Sequence, residues 1–322
     1  MNKDKTEKWI LDMIFQESDI TKSEQPDFII KKSNSIVFGV EITQLFFDES
    51  NARVHCNPKF FDSINKDGTL SNKKDESNLK VVTLTSIPKT KDEKPITVKG
   101  IVNKNPPNIP DILNRLCEVI ETKDLKFEGY NKDLSYIDLI IFDYEHPFIS
   151  RKAINFNYRL LYIDRLKKAV VNTNFREIYL ITQFDTNELE YIDLRTEYFI
   201  EMFYLYNNAT GKFYKRKIFS ITTDEFLRGF AYLLMKYGFK SLYYSLNGVP
   251  ALYFSYVKAT IDYNNSFFLR AINKIPSNTY ELNIENCANI IDDSFIDFFR
   301  EYEKTASFQT KITKNINKPL KD

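Results

Sequence analysis

The chain predicts an α/β fold, a mixed central sheet flanked by helices, followed by an aromatic-rich α+β region. Near-continuous apolar runs at 137–142 and 178–182 have the texture of strands covered on both faces. Segments with apolar residues at helical spacing stand between and before them. The resulting order, helix, strand pair, helix, strand, helix, strand, belongs to an α/β chain.

Residues 6–15 carry Trp9, Ile10, Met13 and Ile14 at helical spacing, which predicts the first helix. Two apolar runs follow, Pro26-Asp27-Phe28-Ile29-Ile30-Lys31 and Ser35-Ile36-Val37-Phe38-Gly39-Val40-Glu41-Ile42-Thr43, separated by a polar turn at 32–34. Pairing them through that turn brings Asp27 and Glu41 to one edge of a sheet. Acids seldom interrupt such runs without a reason.

Residues 51–105 are polar and lysine-rich, with short strand patterns only at 81–84 and 96–98. The expectation is a surface insertion over about 49–106 that carries a third core strand. The proline cluster at 106, 107 and 110 punctuates the chain. From 111 to about 126, Ile112, Leu113, Leu116, Val119 and Ile120 then recur at helical spacing. A strand over 136–143, a helix over 157–171 and a strand over 177–182 complete a first domain, taken as 1–185.

Past residue 185 the texture becomes aromatic, and 186–322 is read as a second, α+β region. Thr222 with Glu225 forms a capping-box pattern opening a helix to about 236. Runs at 241–246 and 249–256 flank Asn247-Gly248 as a hairpin, with Pro250 directing the second strand to an edge. A last helix is expected over 294–304, followed by a polar tail.

Composition narrows the function. The chain has 45 Lys and Arg against 44 Asp and Glu, a formal net charge of +1, so nucleic-acid contacts must come from a local basic face. Three cysteines without CxxC spacing argue against a zinc ribbon or redox pair and point to a reducing, cytoplasmic setting. No apolar leader or membrane-spanning window is evident, which predicts neither secretion nor membrane insertion. Only 8 glycines and the lack of GxxxxGK and GxGxxG argue against a phosphate-binding glycine loop. His55 and His146 lack the companions of a histidine-metal nuclease or a Ser/His/Asp hydrolase. Cys117 falls by the apolar stripe of its helix and reads as core. The lysines between 59 and 104 alternate with acids, as on a solvated surface.

Asp27 and Glu41 carry the chemistry. Magnesium takes oxygen ligands and is commonly held by one or two carboxylates, with waters and a substrate phosphate completing the shell. Pro26-Asp27 and Val40-Glu41-Ile42-Thr43 resemble the two halves of the PD-(D/E)xK motif, the restriction-endonuclease-like superfamily. The resemblance runs over roughly the first half of the chain. It implies a Mg2+- or Mn2+-dependent nuclease acting on DNA ahead of RNA, with Asp27 and Glu41 as metal ligands and, by analogy, a role in defence against foreign DNA.

Thr43 stands where the family usually has lysine, and a hydroxyl cannot supply its charge. In some members the second core helix provides that lysine. Here Lys123 extends the stripe of Leu116, Ile120, Phe127 and Tyr130, while Lys126 lies off it and Lys31 sits on the first strand. Family members often add a glutamate from the first helix, for which Glu7 is better placed than Glu17. Gln44 is a further phosphate donor.

The bland readings are a turn acid at Asp27, an edge charge at Glu41, a snorkelling Lys123 at a helix end, and a solvated face at Glu7 and Glu17. The competing function is an inactive module of the same fold that binds protein or nucleic acid. In either case the C-terminal region would meet substrate, a partner protein or a second copy as a homodimer. A degenerate site predicts that no lysine approaches the two acids.

Overall fold

The apolar runs assemble into the mixed sheet that the element order predicts, and a second sheet follows it. The computed structural model describes residues 3–305, apart from 16–18, 33–35, 58–59, 61, 63, 65–68, 71, 87–94, 131–132, 144–163, 184–188, 215–221, 247, 256, 262–266, 273–274 and 288–290. Helix α1 (Lys3–Ile14) leads into an antiparallel meander of β1 (Asp19–Lys22), β2 (Phe28–Lys31) and β3 (Val37–Gln44). Helices α2 (Glu49–Cys56) and α3 (Lys73–Asn78) then pack beside a hairpin of β4 (Leu79–Thr85) and β5 (Thr97–Asn103).

Helix α4 (Ile109–Asp124) begins at Asn108, whose side chain accepts from the Asp111 amide while Asp111 returns the bond. That reciprocal cap, with Pro110 in the first turn, fixes where the helix starts. It precedes β6 (Ile137–Asp143), which lies parallel to β3. Helix α5 (Asp164–Asn172) crosses to β7 (Ile178–Gln183), parallel to β6, and β8 (Leu189–Asp193) closes the sheet antiparallel. The order is β1-β2-β3-β6-β7-β8.

Burial divides this sheet into two faces. Phe28, Ile30, Phe38 and Val40 pack with Ile10, Leu11 and Phe15 from the first helical segment. On the other face Leu139 and Ile141 meet Leu113, Leu116 and Ile120 of α4 and Leu166 and Val170 of α5. Every residue of β6 is buried, as its unbroken apolar run requires of a central parallel strand.

Beyond it lie α6 (Leu194–Tyr214), α7 (Thr223–Lys236), β9 (Tyr243–Ser245), β10 (Ala251–Phe254), β11 (Val257–Ile261), β12 (Phe267–Ala271), β13 (Tyr280–Glu281) and α8 (Asp293–Thr305). The strands form an antiparallel sheet in the order β12-β11-β10-β9-β13. Its core is built from aromatic contacts such as Phe199 stacked on Phe254 and Tyr206 edge-on to Phe226 and Phe295. No helix among the described residues is long and apolar enough to cross a membrane.

Two expectations need correction. The 81–84 and 96–98 segments pair with each other in a separate two-stranded sheet, and the third meander strand is β1, a polar tetrapeptide with little apolar signal. Pro250 does not send its strand to an edge, because β10 starts just after it and lies inside the sheet. The expected helix over 157–171 is helical in its described part, Asp164–Asn172, and its residues 157–163 lie outside the described residues. The first sheet also takes in β8, on the far side of residue 185.

One buried ion pair ties β6 to the segment entering β7. Arg176 donates through Nε to Asp138 Oδ1 at 2.9 Å and through Nη2 to Oδ2, and its guanidinium lies 3.4 Å from the centre of the Tyr136 ring. Asp138 is fully buried, so deleting its charge strands the arginine. Asp138→Asn is expected to lower the urea-unfolding free energy by about 3 kcal/mol, whereas Asp138→Leu with Arg176→Met recovers most of that loss.

Candidate metal centre

The register of β2 against β3 places both acids. Phe28 stands opposite Val40, so one step outward Asp27 stands across from Glu41. Because Phe28, Ile30, Phe38 and Val40 point to the α1 face, alternation sends Asp27, Gly39 and Glu41 to the face that α4 covers. Pro26 is buried against Gly39, where an added Cβ would sit 2.4 Å from Pro26 Cγ and 2.9 Å from Leu134 Cδ1. Only a glycine admits the proline so closely.

The ladder would next pair Ile42 with Pro26. Instead the Asp27 side chain takes the Ile42 amide, Oδ2 accepting at 2.8 Å, which fixes the carboxylate against β3. Its Oδ1 has no protein donor among the described residues.

Lys123 comes from the last turn of α4, continuing the buried stripe of Leu116 and Ile120. The neighbouring Asp124 pins this helix end by accepting from the Asn174 amide at 2.7 Å and the Thr173 hydroxyl at 2.9 Å. From there the Lys123 Nζ donates to Glu41 Oε1 at 2.5 Å, with the lysine side chain 20% and the glutamate side chain 10% exposed. A cation in a helix's last turn is favoured by the helix dipole, so the local field helps to hold it. The contact engages one oxygen of Glu41.

Tyr130 completes the cluster. A 3-10 turn at Phe127–Gly129 carries the chain back under the sheet and leaves Tyr130 only 7% exposed. Burial, then the negative charge of Glu41 and Asp27, holds its phenol well above the ordinary range. It therefore stays protonated at neutral pH, a donor next to two carboxylates. The sequence stripe contains Tyr130, but nothing in its pattern marks that hydroxyl as part of a polar site. Gly39 was equally silent, since its role depends on Pro26 from the bend before β2.

The other candidates are more dispersed. Thr43 lies two residues past Glu41 on the same face of β3, half-buried and opposite Ile141 in the ladder. Gln44 ends that strand, also half-buried, while Lys31 and Lys126 are exposed. Glu7 is buried on α1, whose Ile10 and Leu11 pack on the opposite face of the sheet from α4. Glu17 and His146 fall outside the described residues, and His55 is exposed on α2. Cys117 is buried in the α4 core with its thiol pushed up to about 11 by burial, unsuited to a nucleophile.

Among the described residues no three His, Cys, Asp or Glu side chains converge as a metal cage. What the strand pair offers is a two-carboxylate anchor, Asp27 through Oδ1 and Glu41 through the oxygen Lys123 does not engage. That donor set is hard, anionic and incomplete, which fits an ion that keeps several waters and a substrate oxygen, as magnesium does. No protein-family model, curated protein or solved structure matches the chain.

Gly39→Ala is expected to displace Pro26 and to lower the denaturant-unfolding free energy by about 1–3 kcal/mol, the usual range for overpacking. Gly129→Ala, with only one side-chain atom at 4.0 Å from the added Cβ, serves as a control with a smaller effect.

Proposed function

We propose that the chain is a magnesium- or manganese-dependent nuclease with a PD-(D/E)xK-like core, acting on DNA ahead of RNA, in which Lys123 substitutes for the missing strand lysine. One observation carries the reading, the 2.5 Å contact between Lys123 and Glu41 across 82 residues of sequence. A bland pair of surface ions does not require that the lysine sit on an otherwise apolar stripe and meet an acid opposite a second acid.

When bound, the divalent ion offsets charge on the attacked phosphodiester and makes a water ligand easier to ionise. Asp27 and Glu41 hold it, Asp27 with its other oxygen fixed by the Ile42 amide so that the ligand does not swing. Lys123 brings a positive charge to the side of the site where phosphate oxygens gain negative charge. Tyr130 supplies a neutral hydroxyl donor beside them. Thr43 takes no charge-bearing role.

The inactive-module reading draws on Thr43 and on the net charge of +1. It predicts no lysine near the two acids, and Lys123 counts against it.

With Mg2+, the protein is expected to cut supercoiled, linear or single-stranded DNA faster than RNA. Glu41→Gln and Lys123→Ala should each slow cleavage by about 10²-fold or more. Adding Thr43→Lys to Lys123→Ala should restore part of the rate, since it returns the charge to the strand position. Cleavage by Glu41→Gln at the wild-type rate would exclude this site.

A further inference from the structure

A cavity of about 850 Å³ opens between the start of β6, the segment before β7 and the β9–β10 strands of the second sheet. Its volume lies in the range of sites for small organic ligands. Three cationic side chains line it, Arg176, Arg195 and Lys240, against one acid, Glu128. The two guanidiniums are held in place. Arg176 is gripped by Asp138 and stacked on Tyr136, and Arg195 donates to the carbonyls of Phe175 and Arg176 while lying 4.9 Å from the centre of the Phe254 ring. Lys240 is exposed and makes no ion pair among the described residues, so its charge is the uncompensated one.

The rest of the wall has a complementary chemistry. Phe127, Tyr136 and Phe254 give it aromatic surfaces, and Ser135, Ser241 and Ser255 give it hydroxyls. Tyr130 and Tyr136 also line it, with their hydroxyl oxygens enclosed behind the wall, the first toward Glu41 and the second toward Arg176. Ser241 and Ser255 have positive φ, 57° and 53°, and no other non-glycine residue among those described does. For Ser255 this is the ordinary backbone of the tight turn that joins β10 to β11, where Phe254 pairs with Val257.

We infer that this cavity binds a nucleotide, its phosphate drawn by Lys240 and the fixed guanidiniums, its sugar by the serine hydroxyls and its base against the aromatic wall. A planar base, a hydroxylated ring and an anion match the three kinds of surface in one cavity. Tyr130 stands in this wall and is also the residue that feels the charges of Glu41 and Asp27, so the cavity and the carboxylate pair share one side chain. The inference holds whether or not that centre cuts a phosphodiester.

Isothermal titration of the full chain in EDTA, so that no divalent ion holds phosphate, tests it with AMP, dAMP, a 5′-phosphorylated oligothymidylate and inorganic phosphate. Lys240→Glu and Ser135→Trp both change exposed positions, the first reversing the charge and the second filling the cavity, and an unchanged melting temperature reports that each variant folds. Binding that weakens at least tenfold in both variants supports the proposal. If AMP or dAMP binds, the occupant is a free mononucleotide; if only the oligonucleotide binds, it is the end of a strand. Absence of binding by every probe, equal affinity in the variants, or inorganic phosphate binding as tightly as AMP overturns it.

Discussion

The pairing of β2 with β3 in one register is the constraint on which the rest depends. Side chains alternate along a strand, so a slip of β2 by a single residue would turn Asp27 into the layer of Ile10, Leu11 and Phe15 and Phe28 out of it, and a slip of β3 would do the same to Glu41 and Val40. Burying a large apolar side chain stabilises by about 1.5–3 kcal/mol, and burying an unpaired carboxylate costs more than that. Both terms favour the observed register. The apolar contacts with α1 therefore do more than hold a helix: they decide which face of the sheet carries the acids.

The opposite face is settled by the same means. Leu113, Leu116 and Ile120 seat α4 on Leu139 and Ile141, and the bonds from Asn174 and Thr173 to Asp124 fix its end. Lys123 then has one direction to reach, toward Glu41. A charge that arrives on a helix depends on helix packing for its position, where one on the strand would depend only on the ladder. Gly39 adds a local condition, because the space it leaves empty is the space in which Pro26 sits, and Pro26 sets where Asp27 begins.

Much of this was legible in the sequence because it rests on period and on unbroken apolar runs. The central strands β6 and β7, the strand pair of Asp27 and Glu41, α4 and the capped α7 all carry such signals, and so does the stripe that points Lys123 inward. What was not legible depends on partners distant in sequence. The tetrapeptide Asp19–Lys22 is polar and becomes a strand only because β2 offers an edge. Residues 81–84 read as strand correctly, yet no local pattern says which sheet a strand will join. Helix α6 is buried nearly all round, with Tyr198, Phe199, Phe203 and Tyr206 under 2% exposed, so its apolar residues show no one-sided period. Tyr130 gains its significance only from Glu41, a residue 89 positions earlier in the chain.

Asp27 and Glu41 are proposed to form a cation site together, with Lys123 at its side. Binding of Mn2+ followed by electron paramagnetic resonance on the free protein tests it without any substrate. One Mn2+ per chain, displaced by excess Mg2+ and lost in both Asp27→Asn and Glu41→Gln while the variants keep their fold by circular dichroism, is the result this account requires. Mn2+ bound equally well by the wild type and both variants would contradict it.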